Sequence, residues 1–81
     1  MRLDKYLKVS RIIKRRAVAN DACNTGHVML NGKEAKPGAE VKVGDIISVR
    51  FGERLMQYEV ITLSQHVLKE DAQGMYRVIA G

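Results

Sequence analysis

The stretch from Lys14 to Lys33, KRRAVANDACNTGHVMLNGK, leaves few folds open to this chain. Three consecutive cations, Lys14, Arg15 and Arg16, lead into residues of helix-compatible composition that run to Thr25. Gly26 then stops the helix, since glycine tolerates the left-handed conformation that a helix end often needs. Val28, Met29 and Leu30 form a short β-prone run, and Asn31-Gly32 follows it. Asn-Gly is the strongest short hairpin signal, because both central positions of a type I′ turn need positive φ. The order is therefore basic helix start, helix, stop, strand and tight turn.

The rest of the chain reads around that unit. Leu3, Tyr6 and Leu7 stand at i, i+3 and i+4 and predict the apolar face of a first helix, residues 2 to about 9. Arg2, Lys5 and Lys8 fall away from that face. Asp4 lies in the first turn, where the helix dipole favours an acid. It is the sole acid among the first 20 residues. Two readings of it stay open: it orients an arginine by a charge-assisted bond, or it faces water. Ser10 to Ile13 reads as a connector with Ile12 and Ile13 turned inward. The second helix starts near Arg15 or Arg16, with Val18, Ala19, Ala22 and Cys23 as small apolar positions.

Downstream the chain reads as β structure. Turns are predicted at Pro37-Gly38, Gly44-Asp45 and Gly52-Glu53. Strands are predicted around Val41 and Val43, over residues 46–51, from Leu55 to Leu63 and from Met75 to Ile79, with residues 64–74 as a loop. The predicted class is α+β: two N-terminal helices, then a small, mostly antiparallel sheet. At 81 residues this is one domain, 1–81.

Charge indicates the partner. Residues 1–36 hold nine Lys/Arg against three acids, a net +6, whereas residues 37–81 hold five against six, a net −1. An uneven distribution of this kind marks an interaction face for a polyanion, nucleic acid or an anionic membrane surface. The basic helices lack a broad apolar face, which argues against a membrane. No uncharged run, Val60 to Leu68 included, is long enough to span a bilayer, and the start MRLDKYLKVSR has no signal-peptide core. A cytoplasmic protein is expected. Cations at a helix start oppose the dipole at a cost of some tenths of a kcal/mol each, a cost that makes sense if a phosphate sits there.

Enzyme readings find no footing. His27 and His66 do not pair with the lone Cys23 at a zinc spacing. Ser10, Ser48 and Ser64 lack a neighbouring base, and no Walker loop or GxGxxG is present. Glu40 and Asp45 read as turn acids. Tyr6, Phe51, Tyr58 and Tyr76 lie in apolar patterns and read as core rather than as stacking platforms. Cys23, among small apolar positions at helical spacing, is expected to be a buried thiol.

RLDKYL, the Arg-x-x-A start at Arg16 and TGHVMLNGK together resemble the S-four-type RNA-binding domain, the αL motif, over roughly residues 1–50, with 51–81 as a β extension. With VRFG at 49–52, the whole chain is similar to the small ribosome-associated quality-control factors of bacteria, relatives of the heat-shock ribosome-binding protein. That resemblance implies a non-catalytic factor without cofactor or metal. It implies binding to stalled large ribosomal subunits, contacting large-subunit rRNA and peptidyl-tRNA, while an RqcH-type alanine-tailing factor extends the nascent chain. A monomer without membrane contact is expected. Matching motif positions put Arg2, Asp4, Lys5, Lys8, Arg11, Lys14, Arg15, Arg16, Asn31 and Lys33 on the RNA face. The same domain also occurs in translation-regulating and ribosome-assembly proteins with other RNA sites, and fused to RNA-modifying and aminoacylating enzymes. The chain departs from the family pattern at Arg15, where a Ser or Thr cap is common, and at Ala22-Cys23, where Leu-Ile is common.

Overall fold

The computed structural model describes residues 1–64 and 69–81, with the side chain of Lys69 also outside the description. Helix α1 spans Leu3–Val9 and α2 spans Arg16–Asn24. Strands β1 (Val28–Leu30), β2 (Lys33–Glu34), β3 (Ile46–Phe51), β4 (Arg54–Val60) and β5 (Tyr76–Ala80) form one sheet in the order β2-β1-β3-β4-β5. Every pairing is antiparallel. The α+β class and the helix-first order are those the sequence predicts.

Local chemistry explains the elements. Leu3, Tyr6 and Leu7 of α1 are fully buried, as their spacing requires. The Tyr6 hydroxyl donates to the Met75 carbonyl oxygen at 2.6 Å and so ties α1 to the far end of the chain. Gly26 takes φ +77°, and the His27 amide donates back to the Ala22 carbonyl oxygen at 2.9 Å, which closes α2. Asn31 and Gly32 take φ of 53° and 84°, the positive pair a type I′ hairpin demands. One cluster joins the helices to the sheet: Leu3, Tyr6, Leu7, Ile13, Ala19 and Cys23 pack with Val28, Ile47, Val49, Tyr58 and Val60. Cys23 is buried as expected, and burial, with the nearby charge of Asp4, pushes its thiol up to about 11.

Three expectations are corrected. The predicted strand around Val41 and Val43 does not form. Residues 39–41 instead strap the N-terminus, with the Leu3 amide donating to the Ala39 carbonyl oxygen and the Val41 amide to that of Met1. Val41 is buried and Val43 exposed, so the alternation is real, but its backbone partner is the chain start rather than a strand. The second strand is Lys33–Glu34, the return arm of the Asn31-Gly32 hairpin. Residues 69–74, expected as loop, and Met75, expected to open the last strand, wind into a 3₁₀ helix that buries Ala72 and Met75. Phe51, expected in the core, is exposed because it sits beside the Gly52-Glu53 turn, past the end of the covered sheet. His66 lies outside the described residues.

Candidate nucleic-acid interface

A carboxylate placed in the first turn of α1 organises the basic half of the molecule. Asp4 is 2% exposed. Its Oδ1 accepts from Arg2 Nε at 3.2 Å, Arg16 Nη2 at 3.5 Å and the Lys5 amide at 2.8 Å. Its Oδ2 accepts from Arg2 Nη2 at 3.4 Å, Arg16 Nε at 3.3 Å and Asn20 Nδ2 at 3.4 Å. Two guanidiniums thus fork onto one buried acid, each through Nε and Nη2, in the bidentate geometry arginine favours. Burial alone would push the carboxyl of Asp4 up. Hydrogen bonds from Arg16 and Asn20, with the charges of Arg16 and Arg2, outweigh it and hold the group below its ordinary range. Asp4 is therefore ionised at neutral pH, and of its two sequence readings the arginine-orienting one is correct.

The arginines themselves stay accessible, with side chains 55% and 47% exposed for Arg2 and Arg16. Each keeps its Nη1 donors beyond the bonds to Asp4. The three charges sum to +1, so the cluster attracts an anion while its forks are held in place. Side-chain ordering before binding reduces the entropy lost on contact.

The remaining predicted residues surround this centre to different degrees. Lys5 is half-buried on α1, and Lys8 is exposed in its last turn. Arg11 is exposed with φ +63°, a left-handed conformation that a non-glycine residue rarely takes, and its amide donates to the Lys8 carbonyl oxygen. Lys14 and Arg15 are exposed on the connector and at the start of α2. Arg15 stands at the helix cap without a side-chain cap bond. Lys33 is exposed on the edge strand β2. Asn31 is different: its amide group is committed within the protein. Its Nδ2 donates to Asp45 Oδ1 at 3.2 Å and its Oδ1 accepts from the Ile46 amide at 2.9 Å. The bonds are structural, and Asn31 fixes the hairpin.

Two residues escaped the sequence reading. Asn20 donates to Asp4, and Asn24 Nδ2 donates to Asn20 Oδ1 at 3.0 Å. With Arg16 they form an i, i+4, i+8 row along α2 that carries the polar face away from the arginine pair. The spacing was visible in the sequence; the buried acid that gives it meaning was not.

Residues 1–47 match the S4 domain family. Over 99% of its length the chain is 49% identical to an RQC P-site tRNA stabilizing factor from Streptococcus pneumoniae, covering 91% of that protein. It is 46% identical to the protein of the same name from Bacillus subtilis, over 98% of this chain and 92% of that one. Its fold superposes on the solved structure of Heat Shock Protein 15 from Vibrio cholerae with a TM-score of 0.90 at 33% identity, covering 99% of this chain and 82% of the other.

Proposed function

This chain belongs to the S4 domain family, and from that premise we propose that it is a non-catalytic RNA-binding factor of ribosome-associated quality control. It binds the large ribosomal subunit and holds peptidyl-tRNA there through its basic N-terminal half, in the cytoplasm. The observation that carries this reading is the Asp4-clamped pair Arg2 and Arg16. Relatives along nearly the whole chain that are named for stabilising P-site tRNA support it.

The mechanism is positional. Phosphate contacts from pre-oriented guanidiniums fix orientation without reading sequence. Arg11, Lys14 and Arg15 extend the cationic track on either side of the connector, and Lys8 extends it along α1. Binding to the tRNA and to rRNA together keeps the tRNA seated while an RqcH-type factor adds alanines to the stalled chain. The protein acts as a monomer and supplies no reacting group.

Sucrose-gradient sedimentation of the tagged protein, with sequencing of its crosslinked RNA, tests this directly. Co-migration with large subunits carrying peptidyl-tRNA, with crosslinks to both RNAs, is the expected result. Co-migration with small subunits or free mRNA would overturn it and favour a translation-regulating or ribosome-assembly role.

A further inference from the structure

Helix α2 presents two different faces to its surroundings. Arg16, Asn20 and Asn24 lie on one, and Ala19 and Cys23 are buried next to it. Val18, Ala22 and Thr25, at i, i+4 and i+7, line a groove on the other. The groove is open to solvent, has a volume of about 510 Å³ and is bordered by the end of β3 and the connector. That size falls within the range of roughly 300–1,000 Å³ typical of small-ligand sites.

Its chemistry is mixed in a specific way. Phe51 on β3 is 42% exposed and Val18 on α2 is 52% exposed, so an aromatic ring and an aliphatic side chain both border it in contact with water. Lys14 brings a cation to the same groove. Asp21 brings a carboxylate acceptor and His27 an imidazole. The Thr25 hydroxyl lies 2.8 Å from the Asp21 carbonyl oxygen and 2.7 Å from His27 Nδ1, which holds the imidazole at the rim of the groove.

The geometry points to a binding site for a single unstacked RNA nucleotide. The base stacks on Phe51 against Val18, its N–H edge meets Asp21, and Lys14 takes an adjoining phosphate. Unpaired bases are recognised by this combination of aromatic stacking and edge hydrogen bonds. The site is continuous with the arginine pair: Lys14, Arg15 and Arg16 are consecutive and lead from the groove round the start of α2 to Asp4. A strand whose phosphates follow those cations brings its next base to the groove. That cationic continuity is the reason for an RNA occupant rather than an apolar peptide.

This inference rests on the RNA-binding reading above, and the test separates the two. Phe51→Leu keeps apolar bulk and removes the π face. Its affinity for purified large subunits carrying peptidyl-tRNA is expected to fall about tenfold, since one base–aromatic stack is worth roughly that much or more. The salt-dependence slope and melting temperature should not move, and Phe51→Tyr should restore binding. Wild-type affinity in Phe51→Leu alongside weakened binding in Arg16→Ala would overturn the groove assignment and leave the RNA-binding reading intact. Unchanged binding in both variants would remove the RNA-binding reading and the groove with it. Unchanged subunit affinity in Phe51→Leu with loss of RqcH-type factor recruitment would give the groove to a protein partner and overturn the nucleotide assignment.

Discussion

Asp4→Asn keeps the shape of the side chain and removes its charge, so it isolates what the buried carboxylate contributes. Two guanidiniums and a backbone amide would lose a charged acceptor. Because both arginines are about half exposed, solvent screens part of the effect, and a loss of about 1–2 kcal/mol is expected. Subunit binding should weaken as well, since Arg2 and Arg16 lose their fixed orientation. The acid limb provides a second check. The folded pKa of Asp4 lies below its ordinary 3.8. Its contribution is therefore fully present above that value and lost as pH falls through the folded pKa. Melting curves below pH 4 should show the gap between wild type and Asp4→Asn closing; a constant gap would contradict the ionised clamp. Arg11 offers the opposite pattern. A left-handed arginine costs roughly 1–2 kcal/mol, which glycine avoids. Arg11→Gly should raise stability by about 1 kcal/mol while weakening subunit binding. Denaturant unfolding with a binding titration checks both; a stabilised protein with intact binding would remove Arg11 from the interface.

The elements differ in how far the sequence foretold them. Helix α2 and the β1–β2 hairpin were legible because glycine and Asn-Gly act locally, through backbone conformations that few other residues take. The strap at residues 39–41 was not, because its partner is the first three residues of the chain and no local pattern records that pairing. Phe51 was misread for a related reason: its β-strand alternation is sound, but coverage of the strand ends before it. In the candidate site, cation positions were readable as charge and motif, whereas the burial of Asp4 depends on how α1 and α2 pack and so appears only in three dimensions. Arg16 reads in the sequence as a cation of the RNA face; its bonds to Asp4 give it a part in the fold as well. Asn31 holds the hairpin through two intramolecular bonds, so its variant separates support of the fold from contact with RNA. Asn31→Ala would remove the bonds to Asp45 and the Ile46 amide and place alanine at φ 53°. A stability loss of about 1–3 kcal/mol is expected. Any binding loss should track the melting temperature and vanish at temperatures where the variant is fully folded; a loss that persisted would assign Asn31 a direct contact.

On the scale of the whole molecule, a net +6 on residues 1–36 against −1 on residues 37–81 concentrates the positive charge in the part of the chain that forms α1, α2 and the first hairpin. Two cations of the second half test whether place matters more than total charge. Arg77 is ion-paired with Glu59 on the β4–β5 surface, and Arg54 is exposed in the β3–β4 hairpin. Arg77→Gln should leave large-subunit affinity within about twofold, because Arg77 belongs neither to the Asp4 cluster nor to the groove, whereas Arg54→Gln also reads the groove, since Arg54 stands opposite Phe51; a loss from Arg77→Gln as large as that from Arg15 or Arg16 variants would mean that bulk charge governs binding. The central claim is that Asp4 presents Arg2 and Arg16 to phosphate, and one measurement addresses it most directly: the affinity of Arg16→Ala and Arg16→Lys for purified large subunits carrying peptidyl-tRNA, titrated across salt concentrations beside a melting curve. Arg16→Ala should bind more weakly with its slope of log affinity against log salt reduced by roughly 0.7–1. Arg16→Lys should keep most of the slope yet lose affinity, because an ammonium cannot fork onto carboxylate and phosphate together. Arg16→Ala should also melt slightly lower while remaining folded at the assay temperature. Wild-type affinity and slope in both variants, or a loss that appears only where the protein has unfolded, would contradict the account.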